Sequence, residues 1–179
     1  SIGGNPVSRL PMIPTADGRL QANVPAQPTG TVVSFRVVAS TSSGTTTSFP
    51  PDSRTSSALY RVGPRVSPSE TKPVVHVILK DADEDWFFTP TNLMSSDHLP
   101  CTVVHGEDIF YNAGMRGKSS ERGRVSAQRL GFGVFFDPTK PLFGAYRSAM
   151  LDRSEGQHPG QREWVLNQAM ARSGSVSTE

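Results

Sequence analysis

The chain has 179 residues and a formal charge of +2, a length that one ordinary hydrophobic core can serve without a disulfide or metal staple. Hydrophobic residues make up 35% and charged residues 19%, beside 22 Ser, 14 Thr, 16 Gly and 15 Pro. That balance excludes a helical bundle or coiled coil, which need about half Ala, Glu, Lys, Leu and Arg, and it predicts short strands joined by long loops. Cys101 is the one cysteine, so an intrachain disulfide is excluded. No apolar run approaches the roughly 18 residues of a membrane span, and no basic start followed by an apolar stretch marks a signal peptide. The mild charge gives no strong nucleic-acid signal, which would be a clustered basic face. The chain opens on Ser1 rather than Met and reads as a processed product or a piece of a longer polypeptide.

Residues 1–30 carry Pro6, Pro11, Pro14, Pro25 and Pro28. Proline lacks a ladder donor, so an extended arm is expected here rather than strand or helix. The β-branched run 31–39 predicts a strand. Residues 40–57 are rich in Ser, Thr, Gly and Pro and read as a flexible loop or linker. From Ala58 the texture changes. Ala58-Leu59-Tyr60-Arg61-Val62 predicts a short strand ended by Gly63-Pro64, and the near-continuous apolar run 73–80 a buried strand. Asp81-Ala82-Asp83-Glu84-Asp85 reads as an acidic turn, and Trp86-Phe87-Phe88-Thr89 as another strand stopped by Pro90. Residues 101–105 and 109–111 read either as short strands or as one helix. A basic loop is expected over 115–124, a strand over 130–136, and mixed helical character over 141–153.

Four clusters have the residue types for chemistry. On an extended segment Asp81, Asp83 and Asp85 would share a face and hold Mg²⁺ or Ca²⁺, although a solvated acidic turn is the plainer reading. Cys101 and His105 would meet on a helix, where a thiol needs a base beside it; a small buried cysteine is the plainer reading. Arg116, Lys118, Arg122 and Arg124 would touch phosphates, against a mobile surface loop with no aromatic residues interleaved. The fourth cluster is Gln161-Arg162-Glu163. On a strand Gln161 and Glu163 project together; on a helix opened by Pro159 and closed by Gly174 they point nearly apart.

Several of these stretches together resemble the catalytic domain of the ADP-ribosylating toxins of the pertussis and cholera type. Leu59-Tyr60-Arg61-Val62-Gly63-Pro64-Arg65 is similar to that family's first strand. Residues 130–147 resemble its late aromatic strand running into a Phe-Tyr-Gly-Ala-like segment. Gln161-Arg162-Glu163 stands where the family places a Gln/Glu-x-Glu, 102 residues after Arg61. Phe87-Phe88-Thr89-Pro90-Thr91 is the nearest match to the middle Ser-Thr-Ser strand, and His76 lies where the family carries a histidine. The resemblance covers about residues 58–168.

The resemblance implies an α+β fold, a β-rich ADP-ribosyltransferase-like split mixed sheet with few helices. It would fill residues 58–179, behind an extended arm and linker over 1–57. It implies that NAD is the substrate, cleaved at the nicotinamide–ribose bond through an oxocarbenium-like state. Arg61 would anchor an NAD phosphate, and His76 would contact the adenosine ribose or orient Arg61. Thr89 or Thr91 would order the site. Glu163 would stabilise charge developing on the sugar, and Gln161 would orient the incoming nucleophile. Glutamine in that place resembles family members that modify acceptors other than arginine, including a protein side chain or a nucleobase.

A second class of function fits the same sequence. The Pro-rich arm, the Ser/Thr-rich loop and the low charge suit a structural or accessory subunit of a large assembly, such as a viral capsid or surface protein, with or without a decayed transferase fold. Its arm would order against neighbouring subunits, and a virion or the host cytoplasm would be its setting.

Overall fold

The computed structural model describes residues 8–51, 58–63, 74–92, 95–117, 131–151, 168–170 and 172–173. It is strand-rich, with one α-helix and one 3-10 turn in its element order. Every strand pairing among the described residues is antiparallel, where a mixed sheet was expected. The result is a β-rich α+β fold built on one five-stranded sheet.

The N-terminal part is more regular than its composition suggests. Strands β1 (Ile13–Pro14) and β2 (Leu20–Gln21) form a short ladder. The β-branched run divides at Arg36 into β3 (Val32–Phe35) and β4 (Val37–Ser40). Strand β5 (Thr46–Phe49) pairs with β4, so part of the expected linker is a hairpin. Both hairpins use the same turn. Thr15 N–H donates to Arg19 O at 2.8 Å and Gly18 N–H to Thr15 O at 3.0 Å; Thr41 N–H donates to Thr45 O at 2.9 Å and Gly44 N–H to Thr41 O at 3.0 Å. Gly18 (φ 79°) and Gly44 (φ 86°) supply the left-handed position that closes such three-residue loops. The threonine hydroxyls reinforce both turns: Thr15 Oγ1 bonds Asp17 and the Arg19 carbonyl, and Thr41 Oγ1 bonds Ser43 and the Thr45 carbonyl.

Strand β6 (Ala58–Arg61) pairs with β3, setting Val32 opposite Arg61 and Phe35 opposite Ala58. Strand β7 (Val75–Ile78) opens the main sheet. Residues Asp81–Phe88 then form helix α1, not the expected acidic turn and strand. The carboxylates of Asp81, Asp83 and Glu84 fall in its first turn, where they favour the positive end of the helix dipole. Phe87 is buried from this helix. The helix stops at Thr89, whose extended backbone (φ −69°, ψ 126°) is what the following Pro90 imposes. A 3-10 turn, Pro90–Asn92, follows.

Strands β8 (Leu99–His105) and β9 (Asp108–Gly117) form the longest hairpin. That settles 101–105 and 109–111 as strands. Its turn is Gly106-Glu107, with Gly106 at φ 59°. Strand β10 (Phe132–Phe135) pairs with β9, and β11 (Ser148–Leu151) pairs with β10, giving the order β11-β10-β9-β8-β7. The helical character expected over 141–153 is therefore replaced by a hairpin. Its loop is closed by a Leu142–Tyr146 bridge and turns at Phe143 (φ 51°) and Gly144 (φ 74°). Asp137 anchors it: Asn112 Nδ2 donates to Asp137 Oδ2 at 2.9 Å, and Thr139 donates to Oδ1 from both N–H and hydroxyl.

One sheet face carries the core. Leu79, Phe87, Leu99, Cys101, Val103, Phe110, Ala113, Met115, Val134 and Phe136 form a single buried cluster, with Trp86 and Phe132 packed against it. Phe87 meets Phe132 edge to face at 6.4 Å, so α1 covers this side. The opposite face is covered only in part. Leu59 N–H donates to Thr102 Oγ1 at 2.9 Å in the interior, and Tyr111 receives Phe35 at 5.5 Å and Phe49 at 5.9 Å.

Candidate functional site

Arg61 closes β6 as the strand reading expects, with its side chain 53% exposed and Nη2 3.7 Å from Glu84 Oε2 of α1. Among the described residues, the charge paired with its guanidinium fork is thus a half-exposed carboxylate. His76 stands on β7, half-buried and opposite Val104 of β8. Thr89 and Thr91 lie in the helix end and the 3-10 turn, so the expected strand Trp86–Thr89 is corrected. The physical reason is local: the preceding acids start a helix, and Pro90 ends it. The Thr89 hydroxyl donates to Asp85 O at 2.7 Å, which ties it to its own helix. Among the described residues no hydrogen bond or ion pair joins Arg61 to His76, Thr89 or Thr91. Gln161 and Glu163 lie outside the described residues; of the basic loop expected over 115–124, residues 115–117 with Arg116 instead close strand β9, and the rest lies outside the described residues.

The other clusters resolve plainly. Asp81, Asp83 and Asp85 stand on a helix, not on an extended segment. No group of three metal-ligating side chains occurs among the described residues. Burial pushes the Asp83 carboxyl above its ordinary value, against the pull of Lys80. Cys101 and His105 stand on strand β8 with a register shift between Cys101 and Val103, so the helical pairing of thiol and imidazole is not formed. Cys101 is fully buried, and that burial pushes its thiol up to about 12. A thiol held protonated is no nucleophile at neutral pH.

The N-terminal region presents a different kind of surface. Between residues 8 and 49 no side chain is buried. Ile13 is 68% exposed, Leu20 60%, Val24 51%, Val38 57% and Phe49 46%. An isolated two-stranded hairpin is at best marginally stable in water and normally needs packing on one face. Here β1–β2 and the upper part of β4–β5 have ladders and ordered turns, yet carry apolar side chains into solvent. Residues 37–49 hold no charged side chain, so the edges lack the lysines and prolines that usually protect an open strand. Composition pointed to an arm, but not to hairpins. The signal was the repeated Thr-x-x-Gly spacing of Thr15–Gly18 and Thr41–Gly44.

Comparison with protein-family models, curated proteins and solved structures finds no match. No helix among the described residues is long and apolar enough to cross a membrane.

Proposed function

We propose that the chain is a structural subunit of a larger assembly, with the arm of residues 8–49 laid against neighbouring copies. The observation that carries this reading is the unburied but ordered arm. It spends ladder hydrogen bonds and turn chemistry on a surface that leaves Ile13, Leu20 and Val38 in water. Covering one such side chain completely contributes at most about 1.5–3 kcal/mol, and association itself costs at least about 4 kcal/mol, so the arm must cover several of them together. Light scattering of the full chain across a range of concentration tests it. Association is expected, and the pair Ile13→Lys and Val38→Lys should abolish it without shifting the urea unfolding curve. A chain that stays monomeric up to about 100 µM, a concentration well above what specific interfaces require, would refute the reading.

An NAD-cleaving transferase remains a second reading. It is supported by Arg61 standing at the end of a strand, half-exposed, and by the aromatic run 132–135 forming a strand in the order the resemblance calls for. Under this reading ADP-ribose goes to a non-arginine acceptor, with Gln161 and Glu163 as the catalytic pair. Nicotinamide release from NAD⁺ tests it: release that disappears in Glu163→Ala favours the transferase, and no release above buffer removes it.

A further inference from the structure

Among the described residues, the sheet face opposite α1 is covered at Tyr111 of β9 by Phe35 and Phe49, and exposed at His98 and Met150. Cross-strand register fixes what stands there. Arg116 is opposite Gly133, and Gly133 is opposite Met150; Gly114 is opposite Phe135. The two glycines act as a floor. A Cβ at Gly133 would lie 2.8 Å from Met150 Sδ and 3.3 Å from Phe135 Cε2, and one at Gly114 would lie 3.4 Å from His98 Nδ1. Lacking a side chain, Gly133 lets Met150 and Phe135 lie across the strand, while a Cβ at Gly114 would meet His98 only at ordinary contact distance. Phe135 then lies against the His98 imidazole at 4.6 Å, tilted by 38°, and the Arg116 guanidinium sits over its ring at 5.2 Å. His98 and Met150 are exposed, and Phe135 and Arg116 half-buried.

We propose that this platform of His98, Arg116, Phe135 and Met150 binds single-stranded nucleic acid, stacking a base on its rings and taking a phosphate on Arg116. An exposed imidazole tilted against a phenyl ring on an antiparallel sheet, with a guanidinium over that ring, suits an unpaired base and its phosphate. An acidic peptide would need the cation but not the rings or the glycine floor. This site is separate from the arm and goes beyond its assembly role.

The test is fluorescence anisotropy of the full chain with a labelled uridine oligomer of about ten nucleotides, a length that one such face can cover. Binding at low salt is expected. Phe135→Leu and His98→Ala should each weaken it about tenfold or more. Arg116→Gln should weaken it and reduce the slope of log affinity against log salt by about one. Unfolding midpoints report whether each variant is folded, and His98→Ala, at an exposed position, carries the ring test if Phe135→Leu is not. Arg147→Gln, outside the platform, should change little. No binding at low salt overturns the proposal. So does binding indifferent to the ring variants and competed equally by inorganic polyphosphate, which would mark a general anion surface.

Discussion

Residues 8–49 and residues 58–151 are built from the same materials and end in opposite states. Both use short antiparallel strands rich in Val, Thr and Phe, joined by glycine-closed turns. In the later region Cys101, Thr102 and Val103 of β8 are completely buried. In the arm, all four residues of β4 are exposed. Strand formation is thus separate from core formation: turn chemistry and backbone ladders order the arm, whereas α1 and the five-stranded sheet enclose the core. The contrast also limits where stability can reside. Apolar burial is concentrated after residue 58, so damage there should unfold the chain, and damage in the arm should not.

The largest effect is expected at Phe87, the buried residue that seats α1 on the sheet. Phe87→Ala should cost about 3–5 kcal/mol, read from urea unfolding followed by tryptophan fluorescence. A loss below about 1 kcal/mol would mean that α1 does not hold the core closed. Next comes Thr102, where β6 meets the main sheet. Thr102→Val keeps the shape but strands the Leu59 N–H, and should cost about 1–3 kcal/mol. An unchanged midpoint would separate β6 from the core.

Cys101 gives the same contrast in pH. Burial raises its folded value above that of a free thiol, so its protonated form is what the native state holds. Its contribution is intact below pH 9, the free-thiol value, and is lost as pH rises from there toward about 12. Stability should fall over that alkaline window in the native chain and fall less in Cys101→Ala. Thiol reagents at neutral pH should label it only on unfolding. The smallest effect is expected in the arm: Ile13→Ser and Val38→Thr should change the stability of the dilute chain by no more than about 0.5 kcal/mol. Larger losses would mean that these side chains pack within their own subunit.

Much of the core was legible from sequence, because its strands are continuous apolar or β-branched runs: 58–62, 73–80 and 130–136 all contain strands, although β7 in 73–80 is a sheet edge with no buried residue rather than the buried strand expected. Helix α1 was hidden because Trp86, Phe87 and Phe88 have strand propensity, while the acids before them act through position at a helix start. The β4–β5 hairpin was hidden by its hydroxyl-rich composition, which resembles a linker unless the Gly44 turn is read. The arm was visible as composition, but its exposure is a tertiary fact. Arg61 and His76 were placed on strands correctly, whereas Thr89 was not, since Pro90 closes a helix there. The His98–Phe135–Arg116 stack joins residues 18 and 19 positions apart in sequence. The β8–β9 and β9–β10 registers together make them neighbours.

The most direct test of the arm as a docking element is amide hydrogen exchange at two protein concentrations. Amides of β4 and β5 should exchange quickly near 1 µM and at least about tenfold more slowly near 100 µM, as expected for segments protected by association rather than by their own core. Amides of β8 and β9 should be slow at both. Equal protection of β4 and β5 at the two concentrations would contradict the account, because the arm would then be stable without a neighbour.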